Sequence, residues 1–269
     1  MTKSPENPRG KAAAHPPRGP IDFGLAVARP VPPPAWLAER CAAIGVELDP
    51  PDVERLGRLL AMIVLGNKQA NLTAVTEPDA AWEKHVLDSL TLMGVLTDLP
   101  PGARVLDVGS GAGLPGLPLA VCLPHLRFTL LDATGKKVEF IDQAAKALGL
   151  SNVDAVQGRA EVLAHDIGER RDAGGRSQRV GAWREAFDAV TARAVGALKE
   201  LAPITVPFAK VGGVIALIKG RKAPDEVDAA RDVLHEIKAV ALEPIPTPTG
   251  VLVVLEKRSA TPRLYPKRA

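Results

Sequence analysis

The sequence predicts an α/β fold of the doubly wound kind: a mostly parallel sheet with helices on both faces, an antiparallel hairpin at its end and a small helical unit before it. Three observations predict it. From Ala103 onward, β-branched and aliphatic runs alternate with segments of helical periodicity, the pattern of strands joined by crossover helices. The first run (Val105, Leu106, Val108) stops in a glycine cluster, Gly109, Gly111, Gly113 and Gly116. Pro115 there sits where a helix's first turn would begin and its missing N–H costs little. The last two runs are separated only by a Pro-Thr-Pro-Thr-Gly turn at 246–250, and strands joined so closely pair antiparallel.

Taken in order, residues 1–34 are proline-rich and lack apolar periodicity, so they read as a disordered basic extension. Lys3, Arg9, Lys11, Arg18 and Arg29 stand there against Glu6 and Asp22. Residues 35–100 read as a helical unit. Trp36, Leu37 and Ile44 suggest a short helix. Asp49-Pro50-Pro51 precedes a second, with Val53, Leu56, Leu59, Leu60, Ile63 and Val64 at helical spacing. After a loop at 67–76, a third helix is expected from Asp79 to Leu96, with Trp82, Val86, Leu90 and Met93 on one side. Residues 101–258 carry the alternating pattern. Strands are expected at 103–108, 126–131, 153–156, 187–191, 211–218, 238–243 and 250–256. Helices are expected at 115–122, 134–148, 159–164, 196–207 and 224–236. Residues 166–185 are charged and poor in apolar side chains, so they read as an exposed insertion. Residues 259–269 form a basic tail that includes Arg263, Lys267 and Arg268.

Composition narrows the functional classes. Hydrophobic residues make up 46% and aromatics 3%, so the core must be aliphatic and alanine-rich. The net charge of +3 suits an anionic partner without proving one. Cys41 and Cys122 lie far apart and belong to no Cys/His cluster, which argues against a zinc site and a disulfide. No apolar run reaches the roughly 18 residues of a membrane span. A cytoplasmic protein is expected, with no metal, no membrane partner and no need to oligomerise.

The chemistry concentrates at the ends of the expected strands. Strand, glycine loop and helix start bring a nucleotide-like ligand against bare backbone. Gly111 to Gly116 satisfies GxGxxG, but Asp107-Val108-Gly109 precedes it. A carboxylate aimed into the loop would repel a pyrophosphate and welcome the sulfonium of S-adenosylmethionine; the alternative is that Asp107 merely caps the turn. The Lys-Ser/Thr of a P-loop is missing. Asp132 closes the second strand, where it can accept both ribose hydroxyls of an adenosine. Ala160 and Glu161 follow the third strand beside the expected adenine pocket. Arg193 ends the fourth, where it suits a methionine carboxylate or an acceptor phosphate. No Asn/Asp-Pro-Pro-aromatic motif and no Pro-Cys nucleophile stands there. That suits an acceptor with a free lone pair, such as guanine N7, for which alignment alone is worth roughly 7–11 kcal/mol. His85 and Asp88 share a helix face and read as a polar network joining helix to sheet. Lys219-Gly220 opens onto the same edge and can reach phosphate. A parallel sheet finished by an antiparallel hairpin is the Rossmann-like, class I S-adenosylmethionine-dependent methyltransferase variant. A nicotinamide-dependent oxidoreductase and a non-catalytic RNA-binding module remain alternatives.

Seven segments resemble one family in order and spacing: NLTAV (71–75), HVLDS (85–89), DVGSGAGLPGLPLA (107–120), LLDATGKKVEF (130–140), GRAE (158–161), ARAV (192–195) and IKG (218–220). The chain is similar over about residues 50–258 to the RsmG (GidB) family, bacterial guanine-N7 methyltransferases of 16S ribosomal RNA. The resemblance implies S-adenosylmethionine as donor and 16S rRNA or an assembling small subunit as partner. Cofactor contacts are implied at Gly109, Leu114, Ala160, Glu161 and Arg193, with Asp132 at the ribose end; Gly111 of the glycine loop is a further cofactor-binding candidate. Arg193 is also the candidate for positioning substrate or donor. The ending TPRLYPK (261–267) resembles the family's basic tail, while the extension and the insertion depart from its compact pattern.

Overall fold

In a computed structural model of the chain, residues 19, 21–171, 177–179, 182–193 and 196–267 are described. Seven strands build the central sheet: β1 (Arg104–Val108), β2 (Arg127–Asp132), β3 (Val153–Gln157), β4 (Phe187–Arg193), β5 (Ala209–Lys219), β6 (Ala239–Ala241) and β7 (Val251–Lys257). Their order is β3-β2-β1-β4-β5-β7-β6, and a short piece at Ile245–Pro246 also pairs with β7. β1 to β5 run parallel, with Asp107 beside Thr191 and Arg193 beside Ile218. β7 is antiparallel to both β5 and β6. The expected hairpin is therefore present, with its second strand inserted between β5 and β6.

Period-two alternation sorts the sheet's side chains onto two cores. Val105, Phe128, Leu130, Ala189, Ala216 and Val254 face one side, under the helices Gly116–Cys122 and Gly135–Ala147. Leu106, Leu131, Val190, Ile215, Leu217 and Val253 face the other, under Leu198–Thr205 and Arg231–Ile237. The strand order reverses between β1 and β4, and the crevice beyond the strands' carboxyl ends at such a switch point is where doubly wound sheets bind ligands.

The helical unit docks on the first face. Its long helix, Pro50–Ala70, begins after Asp49 with proline in its first turn and ends at Asn71 in the left-handed region. Leu56, Leu59, Leu60 and Ile63 are buried as expected, but Val64 lies at the rim, 36% exposed. The helix expected over 79–96 is broken. A π-helical stretch, Trp82–Leu87, separates Pro78–Ala81 from Asp88–Leu90, and Met93–Leu96 follows a turn. Side-chain hydroxyls take backbone carbonyls at the break: Ser89 donates to His85 O at 2.6 Å and Thr91 to Asp88 O at 2.6 Å.

Two expectations of disorder or exposure need correction. From Ile21, the proline-rich extension is a strap rather than a free tail; residues 1–18 and 20 lie outside the described residues. The Ile21 amide donates to Glu139 at 2.5 Å and Gln143 returns a bond to Ile21 O. Phe23 packs edge-on against Phe140, and the Trp82 indole donates to Pro32 O. Apart from one 3-10 turn at Leu25–Val27, closed by Ala28 N donating to Leu25 O, the segment is extended and lacks periodicity, so most of its anchors are groups far away in the chain, Gly57 O for the Val31 amide among them. Within the insertion, Glu169–Arg171 pairs with Ser177–Arg179; 172–176 and 180–181 are outside the described residues. Its last part is not exposed. Trp183 packs on Phe187 and Phe208, and Arg184 is buried.

Candidate active site

The glycine loop leaves β1 at the switch point. Gly109, Gly111 and Gly113 all have positive φ, from 58° to 81°, which an L side chain resists. Gly109 and Ser110 donate to Leu131 O at 2.8 and 3.0 Å, tying the loop to β2. A Cβ on Gly116 would meet Leu130 at 2.7 Å, so the following helix lies directly on the sheet. At Gly111, by contrast, a Cβ would meet nothing nearer than Gly109 O at 3.9 Å. The backbone there borders open space, as ligand approach requires.

Asp107 does not face that space. It is fully buried; its carboxylate accepts from the Gly116 amide at 3.1 Å and the Thr191 hydroxyl at 3.0 Å. Burial raises its pKa to about 6, against the opposing pull of hydrogen bonds and of Arg193. The capping alternative thus prevails for this residue: Asp107 fastens loop and helix to β4, and its charge is not presented to a ligand. Asp132 is the carboxylate at the loop's lip. It is 8% exposed and accepts from Gly111 N at 3.0 Å and Thr134 N at 2.8 Å. A carboxylate has about four acceptor positions, so two remain. Leu114 is buried in the core, and what it offers a ligand is backbone. Ala160 and Glu161, both half-buried, open the short helix after β3.

Across the switch point lies a cavity of about 540 Å³ over the ends of β4 and β5, a size typical of small-ligand sites. Thr73, His85, Asp88, Arg193, Lys219 and Thr249 are in its walls. Four of the resembling segments (71–75, 85–89, 192–195 and 218–220) thereby meet in one place, although Ala194 and Val195 are outside the described residues. Arg193 is largely buried. It donates to Lys84 O at 2.5 Å and approaches Asp88 at 3.4 Å. The expected helix-to-sheet network is therefore observed: Asp88 also accepts from Thr249 Oγ1, and His85 Nε2 lies 3.0 Å from Val75 O and 3.2 Å from Thr73 Oγ1. Burial lowers the His85 pKa, favouring the neutral ring. Lys219 is less available to phosphate than expected. Its ammonium donates to Gly196 O at 2.5 Å and pairs with Glu226 at 2.9 Å. Cys122 behaves as a core thiol, pushed up to about 12 by burial. Thr249 went unrecognised in the sequence, because a threonine in a proline-flanked turn reads only as turn.

The family model described as rRNA small subunit methyltransferase G (GidB) matches residues 52–245. The chain belongs to this family. A Ribosomal RNA small subunit methyltransferase G of Sorangium cellulosum is 46% identical over 239 residues, covering 89% of this chain and 94% of the relative. One from Deinococcus radiodurans is 38% identical, covering 84% and 85%. A solved Corynebacterium glutamicum structure shares the fold, with TM-score 0.51 and 17% identity over 84% of this chain and 98% of that one. As a GidB family member the protein is a methyltransferase, and its sheet is the class I Rossmann-like fold. Among the described residues, no group of three His, Cys, Asp or Glu is placed to hold a metal ion.

Proposed function

We propose that this GidB family methyltransferase moves the methyl group of S-adenosylmethionine to the N7 ring nitrogen of one guanine in 16S ribosomal RNA. The observation that carries the reading is the pairing of two places across the switch point. The open glycine loop with Asp132 lies on the β1–β2 side, and the polar cavity lies over β4 and β5. A donor and an acceptor need such neighbouring sites. The residues present fit the donor: bare backbone at Gly111, acceptor positions left on Asp132, and half-buried Ala160 and Glu161 after β3.

In this reading Gly109, Gly111 and the Leu114 backbone line the donor's loop. Asp132 accepts the ribose hydroxyls. Ala160 and Glu161 flank the adenine. Arg193, held by Lys84 O and Asp88, positions donor or substrate between the two places. Bound S-adenosylmethionine supplies an electrophilic methyl on a cationic sulfur. Guanine N7 carries a lone pair at neutral pH, so no residue has to remove a proton. Orientation and exclusion of water are then the chain's main contributions. The acceptor must be an unstacked base, in naked 16S rRNA or in an assembling small subunit, and such a substrate puts the reaction in the cytoplasm.

The test uses small subunits from cells lacking this protein, incubated with it and methyl-labelled donor. One labelled guanine in 16S rRNA is expected, cleavable by borohydride and aniline as N7-methylguanosine is. Label on another atom, or none, overturns the proposal.

A further inference from the structure

We propose that Asp88 reads the acceptor base, its carboxylate taking the N1–H and the exocyclic N2–H of a guanine seated in the cavity over β4 and β5. This rests on the guanine-N7 reading above and names the residue that makes it selective. Among the described residues in the cavity's walls, Asp88 is the sole carboxylate, beside the cations Lys84, Arg193 and Lys219. Lys219 is already neutralised by Glu226 at 2.9 Å. Asp88 is 7% exposed, and its two oxygens have one partner each, the Thr249 hydroxyl and, at a long 3.4 Å, Arg193. Two of its roughly four acceptor positions are thus left over in a nearly dry wall.

Base chemistry then selects the occupant. Guanine carries two adjacent N–H donors on its Watson–Crick edge, which match a carboxylate's paired oxygens. Adenine has a lone pair at N1 and no amine at C2, so it would set acceptor against acceptor. A site built to receive a hydrogen bond rejects the analogue that lacks it far better than an apolar pocket rejects a size difference. Gripping guanine by its Watson–Crick edge also leaves N7, on the opposite edge, uncovered. The placement of Asp88 follows from its segment: it comes directly after the π-helical stretch Trp82–Leu87, a helix form that recurs at functional sites.

The experiment replaces the target guanosine with inosine, which keeps N7 and N1–H but lacks the N2 amine, in rRNA rebuilt into small subunits. Methyl transfer by wild-type protein and by Asp88→Asn is measured on both substrates. The wild type is expected to lose at least tenfold in kcat/KM on inosine. Asp88→Asn is expected to be slow on guanosine yet to treat the two substrates within about threefold of each other. If that variant is too slow to assay, the same ratio is read from RNA binding in the presence of S-adenosylhomocysteine. A wild type indifferent to inosine overturns the proposal. So does an Asp88→Asn protein that keeps the wild-type ratio, for then Asp88 only holds Arg193. No methyl transfer to the guanosine substrate by wild type would instead strike the guanine-N7 reading itself.

Discussion

Asp107 and Asp132 stand at the ends of neighbouring strands, and burial assigns them different work. Asp107 is enclosed beneath the loop, so ionising it costs folding energy. Its folded pKa of about 6 lies above the ordinary 3.8, so between those values the folded chain binds more protons than the unfolded one. The contribution is therefore fully present below 3.8 and is lost as pH rises through about 6. In Asp107→Asn the amide oxygen still accepts from Gly116, and the Thr191 hydroxyl turns to receive the new N–H. Urea midpoints compared from pH 4 to 7 are expected to show that the variant lacks this downward slope. Donor affinity is expected to change by less than about tenfold, or 1.4 kcal/mol; a larger loss would mean that the buried charge does attract the donor. Asp132→Ala is expected to behave oppositely. It removes acceptors for ribose and for the Gly111 amide, and bonds to charged groups are worth about 1.5–3 kcal/mol each. Calorimetry is expected to show donor binding weakened at least tenfold, and unchanged affinity would refute the ribose assignment. Both aspartates were legible in the sequence as strand-end carboxylates. Which one faces solvent was not, because the two differ only in what packs over them.

At the scale of elements, strand runs and glycine punctuation were readable because a buried parallel strand is a nearly continuous apolar run. β1 to β5 accordingly begin and end within two residues of expectation, β4 running on by two to Arg193. The helix over 79–96 was not readable as broken, since Ser89 and Thr91 take backbone carbonyls without disturbing the apolar spacing. Long-range clasps leave no local pattern at all. Arg184, inside a segment that reads as exposed, donates to Ala164 O, Tyr265 O, Thr261 O and Pro262 O at 2.7 to 3.1 Å. Beside it Lys257 is completely buried, bonded to Ala209 O and paired with Glu185. Together they hold residues 261–266 against the body of the protein. Arg184→Ala would strand four carbonyls and is expected to cost on the order of 3 kcal/mol, read from urea denaturation. Trypsin is expected to cut after Arg258 and Arg263 much faster in the variant, and an unchanged cleavage rate would show that the tail is held elsewhere.

For the whole molecule, the direction of the strands decides which cations meet RNA. β7 runs antiparallel to β5, with Val251 beside Lys219 and Glu256 beside Val214, so the chain leaves the sheet at the edge away from the cavity. β4 alone separates the two edges by about 20 Å at 3.3 Å per residue. Exposed Arg263 and Lys267 of the tail therefore sit on the far side, whereas exposed Lys84, Arg159, Arg221 and Lys222 lie on segments at the cavity edge. The basic tail is conspicuous in the sequence by its charge, but its position argues for a clasp. RNA affinity is expected to fall linearly with the logarithm of salt, each neutralised phosphate of a single strand adding about 0.7 to the slope. Replacing Arg221 and Lys222 by Gln is expected to lower that slope by more than one. Replacing Arg263 and Lys267 by Gln is expected to leave it unchanged, since both side chains are exposed and far from the site. The converse pattern, a slope that follows the tail and ignores Arg221 and Lys222, would place the RNA across the bottom of the sheet. That path would separate the bound strand from the glycine loop by the full height of the molecule.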